Sequence, residues 1–448
     1  MFNNKKEEEK MGKSKVKVFF PAAEKNRPTW PYINYDVEKR AKEVMNILEK
    51  HLLEIEFSHQ VVYGREREKI EKMIKEEKEK YDGYLVYMTS MWTGIPEIIA
   101  KKKIPLIVAD ELYSGSGGFL ETNSLVKEEN LPVVCIGSSN FQDIIDAVKL
   151  FSVMKKMKES KILVVADGEG WGSNNEKIKK IREIFGTEVI RITSEELNSY
   201  YEKVDLEEAK KYKDKWIKEA LKVVEPTEEE ILKSAKMYLA LKKAMQDKKA
   251  DAVTVDCLGL YYSGKLFAYP CLAFFQLNNE GSTGVCEADL DSTITQLLIR
   301  YLTGRPGYVS DPVIDTATNQ IIYAHCVATN KVYGKDGISN PYIIRSHAED
   351  QKGASVQSIM PTGEIITTVK VSSLNKAFSI HTGKTVANIE EDKACRTKLA
   401  AEVEAEKILD NYHFEIFSWH RVTFYGNYRK ETINLATLYN LKIYQEDK

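Results

Sequence analysis

SKILVVADGEGWGSNNEKIKKIREIF, residues 160 to 185, sets a short apolar run, a glycine-rich turn and an amphipathic helical stretch in succession. A strand, a turn and a helix in that order make the opening of a β-α-β unit, and the same texture precedes it in the chain. VKVFFPA (16–22), GYLVYMTS (83–90), IPLIVAD (104–110) and LPVVCIG (131–137) read as strands. Between and after them, DVEKRAKEVMNILEKHL, IPEIIAKKK and FQDIIDAVKLFSVMKKM read as helices. Strands alternating with helices predict a doubly wound parallel sheet. The glycines of the opening stretch, Gly168, Gly170 and Gly172, invite a dinucleotide reading, but the spacing fails because Ser173 stands where a third glycine is needed. No acidic residue closes the next strand, TEVIRI (187–192), to hold a ribose, so no nucleotide cofactor is expected.

Three charged helical stretches follow between 194 and 248, and ADAVTVDCLGL (250–260) reads as a return to a buried strand. Beyond residue 305 the period changes to two, in QIIYAHCVA, PYIIRSH and ASVQSIMPTGEIITTVKVSSL, the last folded over a Pro-Thr-Gly turn. Alternation with turn punctuation describes an antiparallel sheet or small barrel. The expectation is therefore an α/β protein with two doubly wound, Rossmann-like α/β domains followed by a β-rich, barrel-like C-terminal domain. Its boundaries are a disordered charged N-terminus (1–13), a first α/β domain (14–158), a second carrying Glu287 (159–304), and a β-rich domain carrying Asp311 and His420 (305–448).

At 448 residues the chain exceeds what one hydrophobic core usually organises. Its 43% hydrophobic and 29% charged residues, with a net charge of −2, carry none of the strongly basic character that nucleic acid or anionic lipid would ask for. No apolar stretch is long enough to span a bilayer, and MFNNKKEEEKMGK lacks a secretory core, which points to a cytoplasmic protein. The six cysteines, Cys135, Cys257, Cys271, Cys286, Cys326 and Cys395, form no C-x-x-C pair and read as reduced, mostly buried thiols.

The chemistry concentrates in GVCEADLDSTITQLLIRYLTGRPGYVSDP (284–312). Asp289 and Asp291 stand before an apolar-periodic run and read as helix-start residues that cap exposed N–H groups. Asp289-Leu290-Asp291 is also a D-x-D, a match too common to carry weight. Alone, Asp311 before Pro312 reads as a turn. Five of the seven histidines, His325, His347, His381, His413 and His420, lie in the last third. His420 opens a strand, HRVTFYG, that is followed by a helix and a last strand.

That closing pattern, HRVTFYGNYR (420–429), resembles the L-fucose isomerase and L-arabinose isomerase superfamily, and the chain is most similar to its compact members. The resemblance runs over most of the chain, in the same order of domains. It is most specific there and in the segment from Glu287, in C-E-A-D, to Asp311, in S-D-P, 24 positions later. It implies that Glu287, Asp311 and His420 bind a metal ion and that Glu287 and Asp311 also handle protons. It implies an aldose-ketose isomerase acting on a free, open-chain sugar, fucose- or arabinose-like, through an enediol, and a homo-oligomer, trimeric or hexameric.

The chemistry fits those residue types. Moving a proton between adjacent carbons of a sugar needs stabilisation of the enediolate, which a divalent ion chelating two neighbouring oxygens supplies. Two carboxylates and an imidazole suit manganese, with magnesium or cobalt as alternatives, better than structural zinc. Further substrate-binding candidates are Trp92, which relatives in the superfamily place against a neighbouring subunit's sugar, together with His347, Trp419 and Arg345; His325 faces the same choice between site and sheet. The rival readings are a non-catalytic sugar-binding or regulatory protein and an isomerase of a charged or derivatised sugar held by a cation such as Arg345.

Overall fold

The computed structural model describes residues 12–24, 30–64, 66–91, 93–170 and 172–448. Most of the charged N-terminal stretch and Trp92 therefore lie outside the described residues. The protein is a mixed α/β structure. Its contacts divide it into two compact units, one holding the chain up to Lys156 with Lys430–Lys442, the other Met157–Arg429 with Ile443–Lys448.

The first unit is built on a five-stranded parallel sheet in the order Ile55–Tyr63, Ser14–Ala22, Gly83–Met88, Leu106–Asp110, Val133–Ile136. The central strands are apolar on both faces, as parallel strands covered by helices must be, and Gly83–Met88 and Leu106–Asp110 are buried throughout.

The second unit opens with a four-stranded parallel sheet, Glu188–Ile192, Lys161–Val165, Ala252–Val255, Thr283–Val285. Here the sequence expectation needs one correction. ADAVTVDCLGL is a strand only through Val255, and from Cys257 to Tyr262 it is helical. Its apolar run cannot by itself distinguish a buried strand from a buried helix. Local signals fix the flanking helices. Asn174 accepts from the Lys177 N–H to start Asn175–Phe185, and Gly186, at φ +75°, ends it. The core includes Leu163, Val165, Val253, Val255, Trp216 and Phe274, all fully buried.

The rest of this unit is antiparallel. Strands Ile365–Ser372, Arg421–Tyr425, Tyr308–Asp315, Gln320–His325, Thr397–Glu402 and Ala377–Asn388 pair in that order. The last returns to pair with the first, so the sheet closes into a six-stranded barrel with Lys442–Gln445 added outside. Closure removes the exposed edges that an open antiparallel sheet would leave. The Pro-Thr-Gly turn differs from expectation: Ser355–Ser358 pairs with Tyr342–Arg345 in a separate ribbon, so Pro361 to Gly363 lead out of that ribbon into the barrel rather than closing a hairpin.

Candidate active site

The second unit places its chemistry at the carboxyl ends of the parallel strands, the usual ligand side of such sheets. Glu287 follows the strand Thr283–Val285 at a turn with two consecutive non-glycine residues in the left-handed region, Glu287 at φ +63° and Ala288 at φ +51°. Each costs on the order of 1–3 kcal/mol, and such strain persists only where the surroundings over-determine it. The surroundings are visible. The Ala288 N–H donates to the Val255 carbonyl at 2.8 Å, and the Leu290 N–H donates to the Gly172 carbonyl at 3.1 Å. A Cβ on Gly172 would stand 2.6 Å from the Ala288 carbonyl oxygen. This glycine of the rejected nucleotide motif serves a close backbone approach beneath the Glu287 turn.

Asp311 comes from the barrel strand Tyr308–Asp315, and His420 immediately precedes Arg421–Tyr425, which pairs with it. The three predicted residues converge. His420 Nε2 lies 3.2 Å from an Asp311 carboxylate oxygen and 3.5 Å from one of Glu287. A fourth group joins them, because His325 Nε2 lies 3.7 Å from the other Glu287 oxygen. The imidazoles are buried, whereas the Glu287 and Asp311 side chains keep 24% and 16% of their surface, so the cluster is open on its carboxylate side.

The electrostatics describe a pocket short of positive charge. Burial raises the Glu287 carboxyl above its ordinary range, with Asp311 adding to the effect and the two histidines opposing it. Burial works to lower both imidazoles, yet both are raised: His420 by its hydrogen bonds to Asp289 and Asp311, and His325, to about 10, by Cys326, Asp311 and Glu287. His325 Nε2, fully buried, has no hydrogen-bond partner. A divalent ion would supply the missing charge in place of protons. Glu287, His325 and His420 bring ligand atoms within 4.8 Å of one another, and with Asp311 beside them the O and N donors fit a hard cation.

Beneath His420 lies a buried support that the sequence reading did not anticipate. Asp289 does cap the helix Leu290–Thr303, accepting from the Asp291 and Ser292 N–H groups at 3.1 Å. Its other oxygen is 3.0 Å from His420 Nδ1 and 2.6 Å from Lys370 Nζ. Lys370 is 2% exposed, and its charge holds the Asp289 carboxyl well below its usual range against the effect of burial. Asp291 accepts from the Ser373 N–H and hydroxyl and pairs with Lys177 at 3.0 Å. A lysine inside the apolar strand IITTVKVS was the sequence signal for a buried carboxylate partner.

The weaker candidates divide. Trp419, half exposed, donates from Nε1 to the Pro312 carbonyl at 3.1 Å and so stands beside Asp311. His347 stacks on Tyr269 at 4.4 Å and lies 3.7 Å from Asp350. The Arg345 guanidinium is held by both oxygens of Glu225 at 2.6–2.9 Å and by Gln357 at 2.9 Å, which occupies its charge within the fold. No helix among the described residues is long and apolar enough to cross a membrane.

No protein-family model matches the chain. Solved structures align with TM-scores too low to carry an argument: the XylFII-LytSN complex at 0.16, with 13% identity over 56% of this chain and 85% of that one, and a branched chain amino acid ABC transporter from Thermus thermophilus with bound valine at 0.17, with 10% identity over 68% and 67%. Among curated proteins, the chain is similar to the sulfoquinovose isomerases of Priestia aryabhattai and Priestia megaterium (strain ATCC 12872 / QMB1551). It is 24% identical to each over 313 residues, 66% of this chain and 66% of the relative, so it spans just under two thirds of their length.

Proposed function

We propose that the protein is a metal-dependent aldose-ketose isomerase acting on an open-chain sugar, with Glu287, Asp311 and His420 as ligands of one hard divalent cation. The observation that carries this reading is the approach of both carboxylates to one imidazole nitrogen, at 3.2 and 3.5 Å, in a pocket that is short of positive charge. The similarity to two isomerases of a sugar supports it from a different direction.

The interconversion requires a proton to leave one carbon, a proton to reach its neighbour, and the two oxygens to exchange theirs. Held by Glu287, Asp311 and His420, manganese, or magnesium or cobalt in its place, would supply Lewis acidity toward the sugar's oxygens. Glu287 and Asp311 converge from a parallel-sheet turn and a barrel strand, and both present oxygens to the open side of the pocket, where they exchange protons with the substrate. His420 offers Nε2 to the cation while Asp289 accepts from Nδ1, which fixes the ring's tautomer and orientation. Trp419, beside Asp311, lines the entry with an apolar face suited to a sugar ring or chain. Trp92 is proposed to reach a neighbouring subunit's sugar, in a trimer or hexamer whose mass sedimentation would establish.

The relatives' name favours a sulfo-substituted sugar over fucose or arabinose as substrate, the second of the rival readings above. Arg345 is engaged by Glu225, so recognition of the substituent falls to other groups. The test is a panel of aldoses and ketoses, sulfoquinovose included, assayed with chelator-stripped protein to which manganese, magnesium or cobalt is restored. Metal-restored interconversion of any member, lost in Glu287→Gln and His420→Ala, supports the proposal. Tight sugar binding without turnover under every metal defeats it in favour of a binding protein.

A further inference from the structure

We infer that Cys286, Cys326 and His325 form a second, thiophilic metal site, buried against the carboxylate pocket, that takes a soft cation of the zinc or cadmium type. The inference begins from a convergence that packing alone does not explain. Five of the six cysteines come from five separate segments of one unit to one place. Cys257 Sγ lies 3.3 Å from Cys286 Sγ, and Cys271 Sγ lies 3.5 Å from Cys326 Sγ. Cys326 Sγ also lies 3.6 Å from His325 Nδ1, and Cys286 brings its Sγ within 4.8 Å of Cys326 Sγ. A thiol is a weak donor and a weaker acceptor, so a chain of thiols bonded to one another satisfies little. Thiolates around an ion satisfy a great deal.

The distances suit a single ion. Cys286, Cys326 and His325 are fully buried and hold their ligand atoms within 4.8 Å of one another. Sulfurs arranged tetrahedrally around zinc at about 2.3 Å stand about 3.8 Å apart. Each of the two ligand thiols has a further thiol beside it, Cys257 at 3.3 Å from Cys286 and Cys271 at 3.5 Å from Cys326, near that spacing and far from the roughly 2.05 Å of a disulfide. Cys271, 3.5 Å from Cys326, and Cys257, 3.3 Å from Cys286, stand ready as the source of a fourth ligand.

His325 lies between the two sites with one nitrogen toward each. Nδ1 is 3.6 Å from Cys326 Sγ and accepts from the Cys326 N–H at 3.0 Å, while Nε2 faces Glu287. An ion on the sulfur side takes the Nδ1 lone pair in place of that N–H and leaves the ring proton on Nε2, directed at the Glu287 carboxylate. On binding, the Cys286 and Cys326 thiols each release a proton to solvent, and the two thiolates cancel the divalent charge. The second ion therefore adds no net charge beside the first.

The test uses the full chain, reduced and stripped with chelator. Titration with cadmium is expected to raise a thiolate charge-transfer absorption that saturates at one ion per chain, persists in Cys135→Ser and Glu287→Gln, and is lost in the Cys286→Ser/Cys326→Ser double variant. Its persistence in Glu287→Gln separates this site from the isomerase reading. The zinc absorption edge of the wild-type chain, which requires no variant to fold, is expected to show sulfur neighbours at about 2.3 Å. A shell of oxygen and nitrogen alone, a band that survives the double variant, or no band at all overturns the proposal.

Discussion

His420 and Arg421 are consecutive, yet they belong to two clusters of the same residue types with opposite outcomes. Arg421, fully buried, donates to Glu446 at 2.7 and 3.1 Å and to the carbonyls of Ser418 and His420 at 3.0 Å. The other Glu446 oxygen meets His381 Nδ1 at 2.7 Å, and His381 Nε2 meets the Tyr323 hydroxyl at 2.7 Å. Carboxylate, guanidinium and imidazole consume one another's hydrogen-bonding capacity. Around His420 the same chemistry is left incomplete, with two carboxylates at 3.2 and 3.5 Å from one nitrogen and a second imidazole nitrogen without a partner. Closed, such a cluster is part of the scaffold; held open, it has capacity left for a ligand.

The contrast is broken most forcefully at Glu287. Glu287→Gln is expected to lower metal-restored turnover by about 10³-fold or more, in line with general acid-base contributions. Its thermal midpoint is expected to hold or rise, because the change removes a desolvated charge from a strained turn. A loss of turnover that merely tracked a loss of folded protein would erase the distinction between the clusters.

Glu446→Gln is expected to do the reverse. It leaves Arg421 buried without its counter-charge, at about 3–5 kcal/mol of stability. The wild-type pH dependence checks the same cluster. The Arg421 and His381 partners hold the Glu446 carboxyl down at about 2 against the effect of burial, below an ordinary 4.5. A depressed carboxyl stabilises the fold fully above its unfolded pKa and loses that stabilisation as pH falls through the folded one. Denaturant unfolding between pH 5 and about 2 should therefore lose about 3 kcal/mol from this group, and Glu446→Gln should flatten that slope.

Asp289→Asn probes the seam between the two, since asparagine still caps the helix while the charge facing Lys370 and His420 disappears. Metal affinity, measured by manganese titration, is expected to fall about 10–100-fold. An unchanged affinity would make Asp289 a helix cap alone. The smallest effect is expected at Arg345. With its guanidinium held by Glu225, Arg345→Ala should cost about 1 kcal/mol and leave KM unchanged for charged and uncharged sugars alike. A rise in KM confined to charged sugars would show that the pair opens to receive substrate.

The α/β texture was legible in the sequence because buried parallel strands and amphipathic helices differ in period, and the barrel because alternation and turns mark antiparallel strands. The run after Val255 was not, since a short buried helix is as apolar as a strand. Glu287, Asp311 and His420 could be picked out from a resemblance and a spacing, and the fold brings them together. Asp289 was read as a cap, which it is, but its contact with His420 depends on a barrel strand more than eighty residues away presenting Lys370. Arg345 in a cationic role was a reasonable expectation from type alone, and only the fold reveals that Glu225 holds it. Local pattern carries what neighbours in sequence decide, whereas partners supplied by distant segments require the structure.

The turn at Glu287 leans on Gly172, where no side chain of any kind fits against the Ala288 carbonyl. Transplanting the Glu287-to-Asp311 segment onto another scaffold would consequently carry the reactive acid without the bed that shapes it. A natural or engineered descendant that keeps the acid but exchanges that glycine should be sought among proteins that have lost turnover while remaining well folded.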